Sequence, residues 1–359
     1  MGKWEKNILG LIPETEWLNT EFNPVRQNDP VDGLLGDQKT DNLMASWQTI
    51  AAEYQIPVMA QFHGFDTEAK TTFRTPIDTH NIEKGLIKVK LNQSERLRAL
   101  TRTGVREDAL YDYVLGDGIR LADQVITRTK VAKNELLATG KVTIKENNLN
   151  LTVDYGVESS QTNRNIDFST GADVPGQIQA IIDAALAKGV TLTGIVTSKT
   201  ILAKMRNHAS VQKVIGGNIA VGASVSKNAL LSWLEDEFGI TTVITNDLTY
   251  GAAGEIDSST GLPKITYNRY FPANKITFFA PAPSGKLGIG LWGDPPEADA
   301  PTLDMPTETS DVSPYVYISQ WIENDPKVLW TKASSLFMPV LYNPSSLWIA
   351  TATETTSEG

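Results

Sequence analysis

The sequence predicts an α+β fold in which one long helix leads through a hairpin into an α/β unit. Apolar residues recur at helical spacing between residues 120 and 139, and Gly140 follows where a helix would end. The stretch from Lys141 to Gly156 then alternates apolar and polar residues, as strands do. Helical and strand patterns alternate from residue 173 to residue 293, which indicates a mixed sheet covered by helices.

The first forty residues show no sustained period, so they predict an extended arm with one short helical turn. Residues 40–55 predict a short helix with Thr40 or Asp41 as its N-cap. Residues 56–91 predict the strands of a hairpin excursion that has little core of its own. The aromatic rings of the arm need a surface that covers them, either on their own domain or on a neighbouring subunit: Trp4, Trp17 and Phe22.

The central helix is expected to start or kink near Gly116 and Gly118, because a glycine costs about 1 kcal/mol in a helix interior. Gly140 is expected to take a positive φ at the end of this helix. Within the α/β unit, Ser226 is the expected N-cap of a helix. The predicted helices of the unit are 173–189, 199–208 and 226–239, and its predicted strands are 190–198, 240–247, 275–281 and 285–293. An acidic, Pro-rich loop near residues 293–311 precedes the closing strands.

The chain is acidic, with a net charge of −10. Most of this charge lies in residues 291–359, which hold ten acidic and two basic side chains. An acidic chain is a poor candidate for binding nucleic acid through its phosphates. Because the chain has no cysteine, disulfides and thiolate chemistry are excluded, and assembly inside a cell is favoured.

The sequence predicts no membrane partner. No apolar run reaches the roughly eighteen residues that a membrane-spanning helix needs, and the N-terminus does not have the pattern of a signal peptide. Lys6 stands where N-myristoylation prefers Ser or Thr, so we expect no lipid anchor.

No pattern predicts a catalytic, cofactor-binding or metal site. The sequence lacks a Gly-x-Ser-x-Gly elbow, a Walker A loop and a dinucleotide fingerprint. The histidines do not stand at the spacing of metal ligands: His63, His80 and His208. Two groups allow a glycan-related interpretation, but a solvated helix face and burial are favoured for them: the carboxylates Glu235, Asp236 and Glu237, and the indoles Trp321, Trp330 and Trp348.

The most specific motifs lie between residues 73 and 144. They are a Pro76–Ile77 element, the basic strand LIKVKL at residues 86–91, and the helix exit LLATGKVTI at residues 136–144. The closing segment is acidic and contains Asp-Pro at residues 325–326. This order of parts resembles the lambda-type (E family) major capsid proteins of tailed bacteriophages.

The resemblance implies an HK97-like phage capsid fold with an N-terminal arm, an E-loop, a P domain (spine helix plus long β sheet) and an α/β A domain. The implied divisions are residues 1–50 for the arm and short helix, 51–104 for the E-loop region, 105–160 for the P domain with its spine helix and β hairpin, 161–300 for the A domain, and 301–359 for the C-terminal strands that return to the P domain and for the tail.

The function that the resemblance implies is that of a major capsid protein. It would assemble with itself into hexamers and pentamers of an icosahedral shell around phage double-stranded DNA, without sequence-specific DNA binding. Its implied partners are further copies of itself, a portal protein, scaffolding proteins and decoration proteins. The implied location is the virion, with assembly in the host bacterial cytoplasm, and neither enzymatic activity nor a cofactor is implied.

Two alternatives stay open at this point: an encapsulin-like compartment shell of the same fold, and a carbohydrate-active enzyme that uses the carboxylates and indoles named above. In the capsid interpretation, the polar face of the spine helix would meet neighbouring subunits or the shell interior, through Arg128, Lys130 and Lys133. Removal of the arm up to about Asp41 is expected to leave a soluble subunit that cannot close shells.

Overall fold

A computed structural model describes residues 29–50, 59, 65, 74, 77–93, 107–216, 225–257, 263–298, 308–313, 315–324 and 327–354. Several predictions lie outside the described residues: those on the aromatic residues of the arm, on His63, on the strand that begins at Ile56 and its hairpin tip, on most of the Pro-rich loop, and on the end of the tail.

The described elements form two sheets, three isolated strand pairs and a set of helices. The strands are β1 Leu35–Lys39, β2 Met44–Thr49, β3 Asp78–Glu83, β4 Gly85–Gln93, β5 Lys141–Glu146, β6 Leu149–Asp154, β7 Arg164–Asp167, β8 Gly194–Thr197, β9 Thr242–Thr245, β10 Thr249–Ile256, β11 Pro263–Arg269, β12 Lys275–Phe279, β13 Gly288–Gly293, β14 Glu308–Ser313, β15 Val316–Asn324, β16 Lys327–Leu341 and β17 Leu347–Thr353. The helices are α1 Glu107–Thr139, α2 Ser159–Thr162, α3 Val174–Leu186, α4 Lys199–Asn207, α5 Ala209–Gly216 and α6 Lys227–Phe238, with 3-10 turns at Pro30–Gly33 and Pro344–Ser346.

The long helix α1 packs against a six-stranded sheet. The strand order is β1-β13-β16-β15-β14, and β4 pairs with β16 as well. The helix buries the apolar stripe that the sequence predicts: Leu121, Val125, Ala132 and Leu136. These residues form one core with the inward-facing residues of the sheet, among them Phe337 and Val340.

The start of α1 differs from the prediction. The helix begins at Glu107 and continues through Gly116 and Gly118, so it does not start at these glycines, and a kink there stays a prediction. Gly118 is buried, and the packing of the helix outweighs the roughly 1 kcal/mol that each glycine costs. The helix ends as predicted, because Gly140 has a φ of +71° and its N–H donates to Leu136 O over 2.8 Å. The hairpin β5–β6 follows, and its two turn residues, Asn147 and Asn148, also have positive φ.

The short helix predicted in residues 40–55 is a strand in its described part. Strand β2 pairs with β3 in an antiparallel ladder, and its burial alternates residue by residue. Ala45 and Thr49 point inward, while Met44, Ser46 and Gln48 are exposed. The mixture of apolar and polar residues fits both a helical and a strand period, and pairing with β3 selects the strand.

The α/β unit is built on a five-stranded sheet with the order β7-β17-β12-β8-β9. Side-chain caps start its helices, since Asp173 accepts from Gly176 N at α3 and Ser198 accepts from Ile201 N at α4. Ser226 caps α6 as predicted, by accepting from Ala229 N. Helices α3 to α6 bury their apolar faces in a second core around this sheet.

Strands that follow one another in the chain belong to different sheets where the two sheets meet. Strand β13 pairs with β16 in the sheet of α1, although it lies inside the range predicted for the A domain. The closing strands β15 and β16 belong to the sheet of α1, whereas β17 pairs with β12 in the five-stranded sheet. The division of the chain into named domains stays a prediction. Among the helices of the described residues, none combines the length and the apolar character that a membrane span requires.

Candidate assembly surfaces

The N-terminal segment, residues 29–39, is held against the body of the subunit by a buried lysine of α1. The Lys133 side chain is 2% exposed, and its ammonium lies 3.0 Å from Asp32 Oδ1 and 2.9 Å from Asp37 Oδ1. Trp292 Nε1 donates a 2.7 Å hydrogen bond to the same oxygen of Asp37. Because these contacts bury Lys133 under its own chain, the prediction that it faces neighbours or the shell interior is wrong.

The other two cations of this helix face also have partners within the subunit. Arg128 Nε lies 3.1 Å from Glu146 Oε1 on the hairpin, and Lys130 Nζ lies 3.9 Å from Asp32 Oδ2. All three cations of this face are therefore paired within the subunit, and residues 29–37 cover the helix around Lys133.

A buried polar junction joins the N-terminal segment, α1 and the α/β unit. Asn134 Nδ2 donates to Asp29 Oδ2 over 2.6 Å, and Asn246 Nδ2 donates to Asp29 Oδ1 over 2.9 Å. Asn246 Nδ2 also lies 2.9 Å from Asn134 Oδ1, and the Val31 N–H donates to Asp29 Oδ1 over 3.0 Å. All three side chains are buried, and each is hydrogen-bonded to the other two.

Ionisation at this junction is perturbed by its burial. Burial raises the pKa of Asp29 above its usual value, against the opposing hydrogen bonds from Val31 and Asn134. Burial also raises the pKa of Tyr270, and the nearby carboxylates of Asp29 and Asp32 raise it further, against a hydrogen bond with Thr127. Tyr270 follows directly after β11, so the junction lies at the root of the β10–β11 hairpin.

A second buried lysine fixes the turn between β3 and β4. Lys84 Nζ donates to Thr40 O over 2.8 Å, to Thr40 Oγ1 over 2.6 Å and to Trp292 O over 2.9 Å. Burial lowers the pKa of Lys84, against the attraction of Asp294 and Asp41. The base of the predicted excursion is thereby tied both to the end of β1 and to β13.

The β2–β3 sheet has a covered side and an exposed side. On the covered side, the Trp47 ring stacks on His80 at 5.3 Å between centroids and lies 5.6 Å from the Tyr155 ring. His80 Nε2 lies 2.8 Å from Thr49 Oγ1, so this histidine supports strand pairing. Around the sheet, large apolar side chains remain exposed on the subunit: Leu43, Met44, Ile50 and Ile77.

The β10–β11 hairpin is the most exposed described part of the α/β unit. It forms a two-stranded sheet of its own, and every residue of β11 before Arg269 is exposed. Arg269 Nη2 is ion-paired with Asp247 at its root. Exposed strand pairs with apolar side chains are surfaces on which another protein can dock.

A charged cluster fixes the start of the Pro-rich loop on the outer face of the six-stranded sheet. Glu297 accepts from Lys332 Nζ over 2.7 Å and from Ser334 Oγ over 3.1 Å, and Lys88 Nζ lies 3.3 Å away. Burial by itself opposes ionisation of Glu297, but the hydrogen bonds from Lys332 and Ser334 outweigh it and lower the pKa to about 2.

The described residues considered for chemistry are dispersed, and the histidines and indoles among them have structural partners. His208 Nδ1 lies 2.8 Å from Ser210 Oγ, and its Nε2 lies 3.1 Å from Ser169 O. The carboxylates of residues 235–237 are exposed on α6, and Trp348 is buried with its Nε1 donating to Ser345 O. Trp321 and Trp330 stack 6.1 Å apart on the six-stranded sheet. The described residues contain no cluster of three or more His, Cys, Asp or Glu side chains that could hold a metal ion.

Sequence reasoning missed the junction at Asp29 and Asn246. Isolated Asp and Asn residues beside Pro, Gly or Asp are typical of turns, so neither position predicts burial. The one available signal is that Lys133 and Asn134 lie between Ala132 and Leu136, two residues whose spacing does predict burial.

A family model described as phage major capsid protein E matches residues 56–352. Solved structures with a similar fold include a putative capsid protein of a prophage of Escherichia coli CFT073, which is 14% identical at a TM-score of 0.48, with 77% of this chain and 80% of that chain covered. The capsid of cyanophage A-1(L) is also 14% identical, at a TM-score of 0.49 with 92% and 94% covered. A phage-related protein of Bordetella bronchiseptica RB50 is 9% identical, at a TM-score of 0.49 with 93% and 95% covered. No curated protein matches the chain.

The family model spans most of the chain, so the assignment rests on it rather than on the distant structural likenesses. The predicted resemblance is confirmed, and the chain is a structural protein of the phage capsid shell, located in the virion. It is not an enzyme, and neither the compartment shell nor the carbohydrate-active alternative is retained. The chain belongs to the phage major capsid protein E family.

Proposed function

We propose that this chain forms the hexamers and pentamers of an icosahedral shell that encloses phage double-stranded DNA. The observation that carries the proposal is the match to the major capsid protein family over residues 56–352. In this proposal α1 and the six-stranded sheet are the P domain, and the five-stranded sheet with its helices is the A domain. The strand pair β2–β3 forms the base of the E-loop, and residues 51–104 contain the rest of it.

The exposed strand pairs support this arrangement physically. A two-stranded sheet is marginally stable in water by itself, and apolar side chains around β2–β3 are exposed on the isolated subunit. Neighbouring copies in a ring would cover such surfaces, and closed head-to-tail contacts generate capsomers. Many modest contacts around one shell then add up to a stable particle.

The net charge of −10 supports a container that holds DNA without adhering to it. Packaging needs an entry port, so we include a portal protein among the partners, together with scaffolding and decoration proteins. Assembly in the host bacterial cytoplasm agrees with the absence of cysteine from the whole sequence.

Electron microscopy of the purified full-length chain tests the proposal. The chain is expressed alone and together with the proteins encoded beside it, and particles are imaged after size-exclusion chromatography. Closed shells or hexameric rings are the expected result. A chain that remains a compact monomer in both preparations, up to high protein concentration, contradicts the proposal.

A further inference from the structure

The β10–β11 hairpin has one apolar face and one polar face. The register places Tyr267 opposite Gly251 and Ile265 opposite Ala253, so these four residues share a face. The side chains of Tyr267 and Ile265 are 81% and 47% exposed. The other face, called the polar face, carries Lys264, Thr266 and Asn268 of β11, together with Ala252 opposite Thr266 and Tyr250 opposite Asn268.

The root of the hairpin, where residues 246–248 and 269–271 join the α/β unit, is fixed by hydrogen bonds, although the two strands beyond it are exposed. The Tyr270 N–H donates to Leu248 O over 3.1 Å, and the Leu248 N–H donates to the buried Asn246 Oδ1 over 3.1 Å. Arg269 Nε donates to the carbonyl of Phe271 over 3.4 Å, and Phe271 is buried. A rigid root presents the apolar face in a defined direction, which lowers the entropy cost of binding.

The chain belongs to a family of capsid shell proteins, so a neighbouring copy of it is the partner that we expect this face to meet, and the chemistry of the face agrees with that partner. Among its described side chains the only charged group is Arg269, which is neutralised by Asp247 at the root. A nucleic acid would need free cations on this surface, and the exposed Lys264 lies on the opposite face. A second copy of this chain, with its own charge of −10, is repelled by acidic surfaces and is best met through an uncharged apolar one.

We propose that the Tyr267–Ile265 face of the hairpin is a contact surface between neighbouring copies of this chain in the capsid shell. This inference rests on the proposed function, because it needs an assembled shell. Tyrosine is enriched at the centres of protein interfaces, where its ring gives a large contact area and its hydroxyl finds a partner. The Ile265 side chain lies over Gly251, so Ile265 and Tyr267 together form the apolar surface that a neighbour would contact.

The first test compares two charge-adding variants on adjacent positions of β11. Tyr267→Asp adds a carboxylate to the apolar face, and Asn268→Asp adds the same charge to the polar face. We expect Tyr267→Asp to lower the yield of shells about tenfold or more, which corresponds to about 1.4 kcal/mol, whereas Asn268→Asp stays within about twofold of the wild type. Equal melting temperatures of the unassembled subunits show that folding is unaffected, because the Tyr267 side chain is largely exposed.

The second test uses the absence of cysteine from the chain. Tyr267→Cys introduces a single thiol, and a small proportion of this variant is co-assembled with wild-type chains. We expect maleimide labelling to be about tenfold slower in the shell than in the free subunit, because a neighbour covers the thiol.

The outcomes separate this inference from the proposed function. If the wild type forms no shells, the proposed function fails. If the wild type forms shells, Tyr267→Asp forms them equally well and the Tyr267→Cys thiol reacts at the same rate in both states, only the hairpin contact is overturned.

Discussion

Lys133 Nζ lies 2.9 Å from Asp37 Oδ1, so a buried ammonium on α1 fixes β1 at the edge of the six-stranded sheet. The same ammonium lies 3.0 Å from Asp32 Oδ1. Strand β1 pairs in parallel with β13, and Val31 and Leu35 are buried in the core of α1. The described part of the N-terminal segment is therefore built into the subunit, not merely laid on its surface.

Replacement of Lys133 by methionine tests this attachment. Methionine fills a similar volume but leaves Asp32 without its closest cation and Asp37 with only the Trp292 indole as a described partner. We expect the free energy of unfolding to fall by about 1–3 kcal/mol, since both carboxylates are partly exposed and regain some hydration. Chemical denaturation measures the change, and limited proteolysis is expected to cut faster within residues 29–39. Lys145→Met, at an exposed position of β5, is the matched control and should change the stability little.

Asp29→Asn tests the polar junction. The amide places a donor where a carboxylate oxygen now accepts from Asn134 or Asn246, so a buried hydrogen bond is lost and two donors oppose each other. We expect the free energy of unfolding to fall by about 1–3 kcal/mol. Asp78→Asn, on the exposed surface of β3, controls for the lost charge. An unchanged denaturation midpoint for Asp29→Asn would show that the junction does not stabilise the fold.

Two glycines with nearly the same positive φ make it possible to distinguish backbone strain from a steric clash of an added Cβ at the end of α1. Gly140 has a φ of +71°, and a Cβ there would lie 2.9 Å from Val157 Cβ. Gly239 has a φ of +70°, but a Cβ there would meet no heavy atom within 4 Å. Gly239→Ala is expected to cost about 1–2 kcal/mol for its left-handed backbone, and Gly140→Ala to cost more. Equal destabilisation of the two variants, measured by thermal unfolding, would show that contact with Val157 is unimportant.

Local chemistry predicted much of the central part of the fold. The helix stop at Gly140, the β5–β6 hairpin and the cap at Ser226 each follow from a pattern of neighbouring residues, and the structure contains all three. The family also follows from short motifs in sequence order. What failed is the start of α1 and the nature of residues 44–49, because tertiary packing and strand pairing override weak local preferences there.

Long-range contacts explain what the sequence could not predict. Lys133 has the pattern of a surface residue on a polar helix face, but the 3-10 turn brings Asp32 over it and β1 brings Asp37 over it. Asp29, Asn134 and Asn246 are far apart in the chain, and no spacing rule relates them. The sheet to which β13 and β17 each belong likewise depends on long-range strand pairing. The alternation of apolar and polar residues along a strand does not encode that pairing.

The lowered pKa of Glu297 predicts that the subunit loses stability in acid. Its pKa is about 2 in the folded subunit against 4.5 without partners, so its contribution is complete above about pH 4.5 and is lost as the pH falls towards 2. We expect Glu297→Gln to lose about 1–2 kcal/mol near neutral pH, a value reduced because its partner Lys88 is exposed. The difference between wild type and variant should shrink between about pH 5 and pH 2 when denaturation midpoints are compared. A difference that stays constant over this range would show that ionisation of Glu297 does not contribute.

Truncation at two positions tests the role of the N-terminal residues. Deletion of residues 2–28 ends before Asp29, so the junction, Val31 and β1 all remain, and we expect a folded subunit that assembles poorly. Deletion to Asp41 also removes these buried residues, so the earlier expectation that it leaves a soluble subunit is replaced by one of unfolding or aggregation. Circular dichroism and size-exclusion chromatography report folding, and electron microscopy reports shells. Normal shells from the shorter deletion would show that residues 2–28 are dispensable, and a well-folded longer deletion would contradict the structural role of β1.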